Sequence, residues 1–363
     1  MSKGTGRKPD IPLRRGWTTG ACATAATKAA LTALLTGAFP DPVKIRLPKG
    51  EEPAFPLALE ESDGETARAG IIKDAGDDPD VTHGATVIAS VRLGGESLRF
   101  VAGHGVGTVT KPGLPVAVGE PAVNPVPRRM MIEVFETLCA GHDVPASGEI
   151  TLSIPDGEAL AEKTWNPRLG IVGGLSILGT TGVVHPYSCA AWIHSIHRGV
   201  DVARAAGHDT IIASTGSTSE TTAAGLYDVP PTAFIDMGDF AGGLLKYLRA
   251  HPVPRLVLAG GFAKLTKLGQ GALDLHSGRS QVTMDALAEL ALSAGADAEL
   301  ARRIAGANTA NEAMEAARAR GVRLGDAVAR DARRVAIETL RGAPVTIKTL
   351  VVDRAGGVVG RDE

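Results

Sequence analysis

Four short apolar runs, at residues 171–178, 210–213, 233–236 and 256–259, are each followed by a loop rich in Gly, Ser or Thr and then by a helix-like segment. Those segments lie at 188–206, 219–227, 239–250 and 263–275. Strand and helix alternating in units this short leave few options. Each strand crosses over through a helix to lie parallel to an earlier one, and helices then cover both faces of the sheet. The expected fold of this half is a doubly wound, Rossmann-like α/β domain. An Ala-rich stretch at 284–340 continues with helical periodicity, and 345–352 closes it as a strand.

The first half reads differently. β-rich runs at 43–47, 54–60, 65–73, 85–93 and 97–102 are separated by Gly, Asp and Pro, with Gly94-Gly95 expected as a hairpin turn. Helices are expected at 19–36 and 125–139. Strands flanked by helices indicate an α+β domain. The 363 residues therefore divide into an α+β domain over 1–165, packed on the α/β domain over 166–363. A ligand cleft between the two is the default expectation.

With 38 Lys and Arg against 40 Asp and Glu, the chain has no overall field to hold a polyanion, so nucleic acid is not an expected partner. Three cysteines with no CxxC pair indicate neither a disulfide framework nor a zinc finger. The polar first ten residues lack the apolar run of a signal peptide, and no stretch is apolar enough to span a membrane. A cytoplasmic protein is expected, with homo-oligomerisation left open. Charge is nevertheless segregated. Residues 1–50 hold nine Lys and Arg against two Asp, residues 51–100 hold four against eleven acids, and 11–40 contain no acid at all. The basic segment suits an anion.

Four segments could carry chemistry. In the first, Thr18 or Thr19 caps a helix whose face of Cys22, Ala26, Ala29 and Ala33 has almost no bulk. A flat ligand could approach it, with an anion at its free N–H groups, but small residues equally serve tight core packing. In the second, Asp74, Asp77, Asp78, Asp80 and His83 could ligate a cation, though the spacing is not that of an EF-hand and a turn-forming loop is the better reading. No metal is expected. In the third, Lys111 in a Pro-Gly turn and Arg128 and Arg129 at a helix start could clamp carboxylates. His104, between two glycines, is a weak catalytic candidate.

The fourth segment lies in the α/β half. Thr215, Gly216 and Ser217 form a loop of small residues between strand and helix, and Asp236 ends the next strand 20 residues after Gly216. An acid there can accept from ribose hydroxyls, while Gly260 and Gly261 let backbone approach a ligand. The ribose belongs equally to S-adenosylmethionine and to NAD. His185, His194 and His197 lack a further suitably spaced ligand, and no GxSxG or HExxH is present.

Five stretches together resemble the CbiD family of cobalamin biosynthesis. They are RGWTTGACA at 15–23, KDAGDDPDVT at 73–82, GTVTKPGL at 107–114, PAVNPVPR at 121–128 and GGLSILGTTG at 173–182. The resemblance runs from about residue 13 to residue 280. It implies a cobalt-precorrin-5B C1-methyltransferase that moves a methyl group from S-adenosyl-L-methionine to a corrin precursor. Thr18, Thr19, Cys22, Lys111 and Arg128 would then face the substrate, and Thr215, Gly216, Ser217, Asp236, Gly260 and Gly261 the methyl donor. The chain departs from the family at Phe262 and Ala263, where many members carry a His and a Gly, so no role of that His carries over. An NAD(P)-dependent corrinoid reductase and a noncatalytic tetrapyrrole carrier are the alternatives.

Overall fold

The computed structural model of the chain describes residues 12–363; the polar first ten residues lie outside that range. The chain divides into two compact units, Met1–Cys189 and Ala190–Glu363. Residues 166–189, expected in the second domain, therefore belong to the first. Strand pairing explains the shift. The expected strand at 171–178 is two short ones, Ile171–Val172 and Gly174–Leu175, which pair with Thr108–Val109 and Gly105–Val106. Val183–Val184 pairs with Gly16–Trp17.

In the first unit, helix α1 (Thr19–Thr36) starts and stops where its sequence supplies caps. The Thr18 hydroxyl accepts from Ala21 N–H at 3.2 Å. Gly37, at φ 79°, ends the helix with its N–H on the Ala33 carbonyl at 2.8 Å. That left-handed conformation is one that glycine adopts without steric cost. The helix packs against α2 (Pro125–Gly141) and against a five-stranded sheet. Its strands are β1 (Leu59–Ser62), β2 (Thr66–Ile72), β3 (Thr86–Leu93), β4 (Leu98–Ala102) and β5 (Gly148–Ser153), in the order β1-β2-β3-β5-β4.

The expected Gly94-Gly95 hairpin does not form as such. β5 lies between β3 and β4, antiparallel to the first and parallel to the second. The insertion begins at the turn itself, where Gly94 N–H donates to the Ser147 carbonyl at 3.0 Å and Gly148 N–H to Ser97 at 3.3 Å. β5 presents Ile150 and Leu152 to the core in the alternation that a sheet with one buried face requires.

The second unit begins with most of α3 (Cys189–Ala205) and continues through β6 (Thr210–Ser214), α4 (Ser217–Ala224), β7 (Phe234–Asp236), α5 (Ala241–Leu248), β8 (Arg255–Gly261) and α6 (Phe262–Gly269). Four helices follow, α7 (Met284–Ser293), α8 (Ala298–Ala305), α9 (Ala310–Ala319) and α10 (Leu324–Leu340), and then β9 (Thr346–Val352) and β10 (Val358–Asp362). The strand order is β7-β6-β8-β9-β10; the first four are parallel and β10 runs antiparallel at the edge. Ile211, Ala213, Leu256 and Leu258 join a core with α5, α6 and α10, while Ile212, Val257 and Leu350 join a smaller one with Ala223 of α4. Both faces of the sheet are thus buried, and the fold as a whole is mixed α/β. Among the described residues no helix is long and apolar enough to cross a membrane.

Candidate functional site

The five motif stretches form one web of backbone hydrogen bonds in the first unit. Segment 173–182 is its hub. Thr18 N–H donates to the Gly182 carbonyl at 2.9 Å, Gly20 N–H to Leu178 at 2.9 Å, Asn124 N–H to Ile177 at 2.9 Å and Gly107 N–H to Leu175 at 2.8 Å. Trp17 N–H reaches Asp74 at 2.7 Å and ties in the acidic loop. The approach is close: a Cβ at Gly20 would lie 2.6 Å from Cγ of Pro127.

The segregated charges meet within this web. The Arg14 guanidinium forks onto the Asp74 carboxylate, with Nη2 donating to Oδ1 at 2.9 Å, and Arg14 N–H donates to Asp77 Oδ2 at 2.6 Å. Arg15 reaches Glu51 at 3.3 Å. Tyr187 N–H donates to Asp78 Oδ1 at 2.8 Å. Lys73, fully buried, donates to Asp80 and to Thr82 Oγ1. The hydrogen bond from Arg14, with that from Gly76 N–H, holds the Asp74 carboxyl down to about 2. At Asp80 burial pushes upward, but the Lys73 charge and hydrogen bonds from Lys73 and Thr82 outweigh it, and the carboxyl is lowered. The acidic loop clamps the N-terminal segment, and the basic segment's anion is the chain's own. Among the described residues no group of three or more His, Cys, Asp or Glu is arranged to hold a metal.

The five residues expected at the substrate fall into two sets. Thr18, Thr19 and Cys22 are buried, and the first N–H groups of α1 are spent on Leu178, on the Thr18 hydroxyl and on the Thr18 carbonyl. Burial also pushes the Cys22 thiol up to about 12. Cys22, Ala26, Ala29 and Ala33 all belong to the core of the unit. The small face is packed against protein, which corrects its reading as a surface open to a ligand. Lys111 and Arg128, in contrast, keep partly exposed side chains. Lys111 lies across Gly170, where a Cβ would stand 2.6 Å from its Cγ. Arg128 pairs with Glu120 at 3.1 Å. His104 is exposed. His197 is occupied in packing: its ring stacks on Tyr247 at 3.9 Å, and Nε2 donates to the Gly243 carbonyl at 3.3 Å.

In the second unit, a cavity of ≈ 400 Å³ opens at the C-terminal ends of β6, β8 and β9. Thr215, Gly216, Ser217 and Gly261 line it, and Gly260 is buried behind them. The Lys264 ammonium braces the loop, donating to the Thr215 carbonyl at 2.7 Å and standing 3.1 Å from Asp239 Oδ1. Phe262 and Ala263, where the chain departs from the family pattern, form part of the wall. Asp236 ends β7, on the other side of β6, and is not part of the lining; its Oδ1 accepts from Gly238 N–H at 3.1 Å.

Sequence reasoning missed the rest of that wall, Thr309, Ala310 and Asn311 at the start of α9, Val352 at the end of β9, and Asp353 and Arg354 after it. A signal existed. Thr309-Ala-Asn-Glu312 has the spacing of a capping box, and Thr309 Oγ1 does accept from Glu312 N–H at 3.1 Å.

Residues 6–186 match the family described as CbiD, and residues 274–363 match the CbiD, C-terminal domain. Proteins of Brucella anthropi, Brucella canis and Brucella suis biovar 1, each named cobalt-precorrin-5B C(1)-methyltransferase, are 62% identical over 96% of this chain and 95% of their own length. A crystal structure of cobalamin biosynthesis protein (cbiD) from Archaeoglobus fulgidus is 29% identical, covering 69% of this chain and 77% of that one with a TM-score of 0.38. Matched at both ends by the family and along nearly its whole length by these relatives, the chain belongs to the CbiD family.

Proposed function

We propose that this chain is an S-adenosylmethionine-dependent C-methyltransferase acting at C1 of cobalt-precorrin-5B in cobalamin biosynthesis. The observation that carries the reading is 62% identity, over 96% of the chain, to relatives bearing that activity in their names. The second unit supports it physically. Its strand order, β7-β6-β8-β9-β10, is 2-1-3-4-5 in chain order, a doubly wound pattern whose direction reverses between β6 and β8. Ligands of such sheets bind outside the strand ends at that reversal. The cavity lies there, lined by the loops after β6 and β8.

The lining suits a zwitterionic nucleoside. Hydroxyls of Thr215, Ser217 and Thr218 stand beside apolar Phe262, Ala263 and Val352. S-adenosylmethionine supplies an activated methyl on a sulfonium. An electron pair from the macrocycle at C1 would form the C1–CH₃ bond as the S–CH₃ bond breaks, and the pair of the broken bond would stay on sulfur. For the protein this leaves positioning and exclusion of water. Lys111 and Arg128 hold carboxylates on the rim of the precursor. The buried helix α1 and the hydrogen-bonded motif web keep the loops that carry them in place. Asp236 accepts from the ribose of the donor.

Titration calorimetry tests the reading. S-adenosylhomocysteine should bind and NADP should not; preference for NADP would make the chain a reductase, and binding of neither would make it a carrier.

A further inference from the structure

We infer that the C-terminal segment completes the methyl-donor site and sets its direction, with the methionine carboxylate at Arg354 and Asn311 and the ribose toward Asp236. The inference rests on the reading of the strand-end cavity as the donor site. It follows from which groups on the wall are already engaged. Thr215 Oγ1 accepts from Gly261 N–H at 3.3 Å. The Lys264 charge is matched by Asp239 at 3.1 Å, and its ammonium also serves the Thr215 carbonyl. Asp353 Oδ1 accepts from Ala355 N–H at 2.9 Å and Gly357 N–H at 2.8 Å, so that carboxylate organises its own loop.

Arg354 and Asn311 also line the cavity, yet among the described residues neither side chain makes a hydrogen bond or an ion pair. The unmatched charge on the wall is therefore positive, at the β9 end. A guanidinium beside an amide suits a carboxylate and repels a sulfonium. The ligand thus places its carboxylate there and its sulfonium further along the strand ends, away from the like charge.

The other end points toward Asp236, which stands beyond the lining across β6, with Oδ1 accepting from Gly238 N–H at 3.1 Å. The strand ends stand in the row β7-β6-β8-β9, with Asp236 closing the first strand and Arg354 following the last. Three strand spacings separate these ends, roughly 14 Å at about 4.8 Å each. An extended donor lying along that row meets a carboxylate at its ribose hydroxyls and a guanidinium at its carboxylate. Reversing it would put the methionine carboxylate against Asp236, an unfavourable like-charge contact.

The test compares S-adenosylhomocysteine with 5′-deoxy-5′-methylthioadenosine, which keeps the adenosyl group and sulfur but lacks the amino acid. Calorimetric Kd values are taken for the wild type, Arg354→Ala, Arg354→Lys, Asn311→Ala and Asp236→Asn, with Tm as the check on folding. Arg354→Ala should weaken S-adenosylhomocysteine about tenfold or more and leave methylthioadenosine within about twofold. Lysine at that position should recover part of the loss, and Asn311→Ala should repeat the pattern more weakly. Asp236→Asn should weaken both ligands alike. Unchanged S-adenosylhomocysteine binding in Arg354→Ala, or equal loss of both ligands, would overturn the direction and leave the donor reading standing. A wild type that binds neither ligand would overturn the donor reading itself.

Discussion

Both terminal nitrogens of Arg128 donate to one oxygen of Glu120, Nη1 at 3.1 Å and Nη2 at 3.2 Å from Oε2, and the guanidinium lies over the Phe100 ring at 4.9 Å. The cation that the sequence offers to a substrate carboxylate therefore already has a carboxylate partner. Its plane is set by the aromatic face beneath it. Glu120 holds the guanidinium in position, and an incoming carboxylate must share or displace it.

That arrangement predicts opposite effects for the two partners. Arg128→Ala should raise KM for the corrin precursor by about tenfold or more, on the scale of about 1–3 kcal/mol for a lost charged hydrogen bond. Glu120→Gln removes the competing charge and should lower KM a few-fold. Lysine at 128 should restore binding only in part, since an ammonium has no planar fork. If Glu120→Gln instead raises KM as much as Arg128→Ala does, Glu120 is required for binding and does not compete for it.

The small-residue face of α1 gives a second test. Cys22 and Ala26 are both 0% exposed within the first unit's core. Ala26→Leu should overpack that core and cost about 1–3 kcal/mol, read as a lowered Tm. Cys22→Ser should cost about as much, because it leaves a hydroxyl among apolar neighbours, yet the folded fraction should keep its turnover. The buried thiol should also resist alkylation in the native protein. Rapid native labelling at Cys22, or loss of turnover in a stably folded Cys22→Ser, would instead give the thiol a direct part in the reaction.

The bounds of α1 were legible because the signals are local: a Thr N-cap, an Ala-rich run and a terminal Gly. The parallel strands of the second unit were legible for the same kind of reason, each being an apolar run punctuated by small residues. Long-range pairing was not. β5 enters the first sheet between two strands that are sequence neighbours, and nothing in residues 93–98 announces that. Residues 171–178 look like one strand of the α/β unit, yet they pair with residues 105–109. The cavity divides likewise. Its loops after β6 and β8 carry recognisable small residues, whereas Asn311 and Arg354 are ordinary in sequence and gain meaning only where the chain returns to the same strand ends.

The Lys264 brace yields a third prediction. Its ammonium ties the Thr215 carbonyl to Asp239 across the mouth of the β6 loop. Lys264→Met keeps the stem and removes the polar tie. It should weaken S-adenosylhomocysteine several-fold and also lower Tm, because the loop loses its fixed geometry and the Asp239 carboxylate, with Oδ1 buried, loses its countercharge. An affinity equal to wild type would show that the loop holds its shape without Lys264.

The clamp between the basic and acidic segments predicts a particular acid response. Asp74 and Asp80 both have carboxyls lowered by folding, Asp74 to about 2 against an unfolded value of about 3.9. A lowered carboxylate contributes stability that is fully present above the unfolded pKa and is lost as pH falls through the folded one. The first unit should therefore lose stability as pH drops from about 4 toward 2. The share from Asp74 should be small and weakened by salt, since Arg14 and Asp74 are 58% and 43% exposed. Lys73, 1% exposed, makes Asp80 the larger contributor. Asp80→Asn strands the buried ammonium without its countercharge and should cost about 3 kcal/mol at pH 7. The gap to wild type should close as pH falls and Asp80 takes up its proton in the wild type. Denaturant midpoints at stepped pH would show the convergence; a gap that stays constant down to pH 2 would mean that the Lys73–Asp80 pair contributes nothing through its charge.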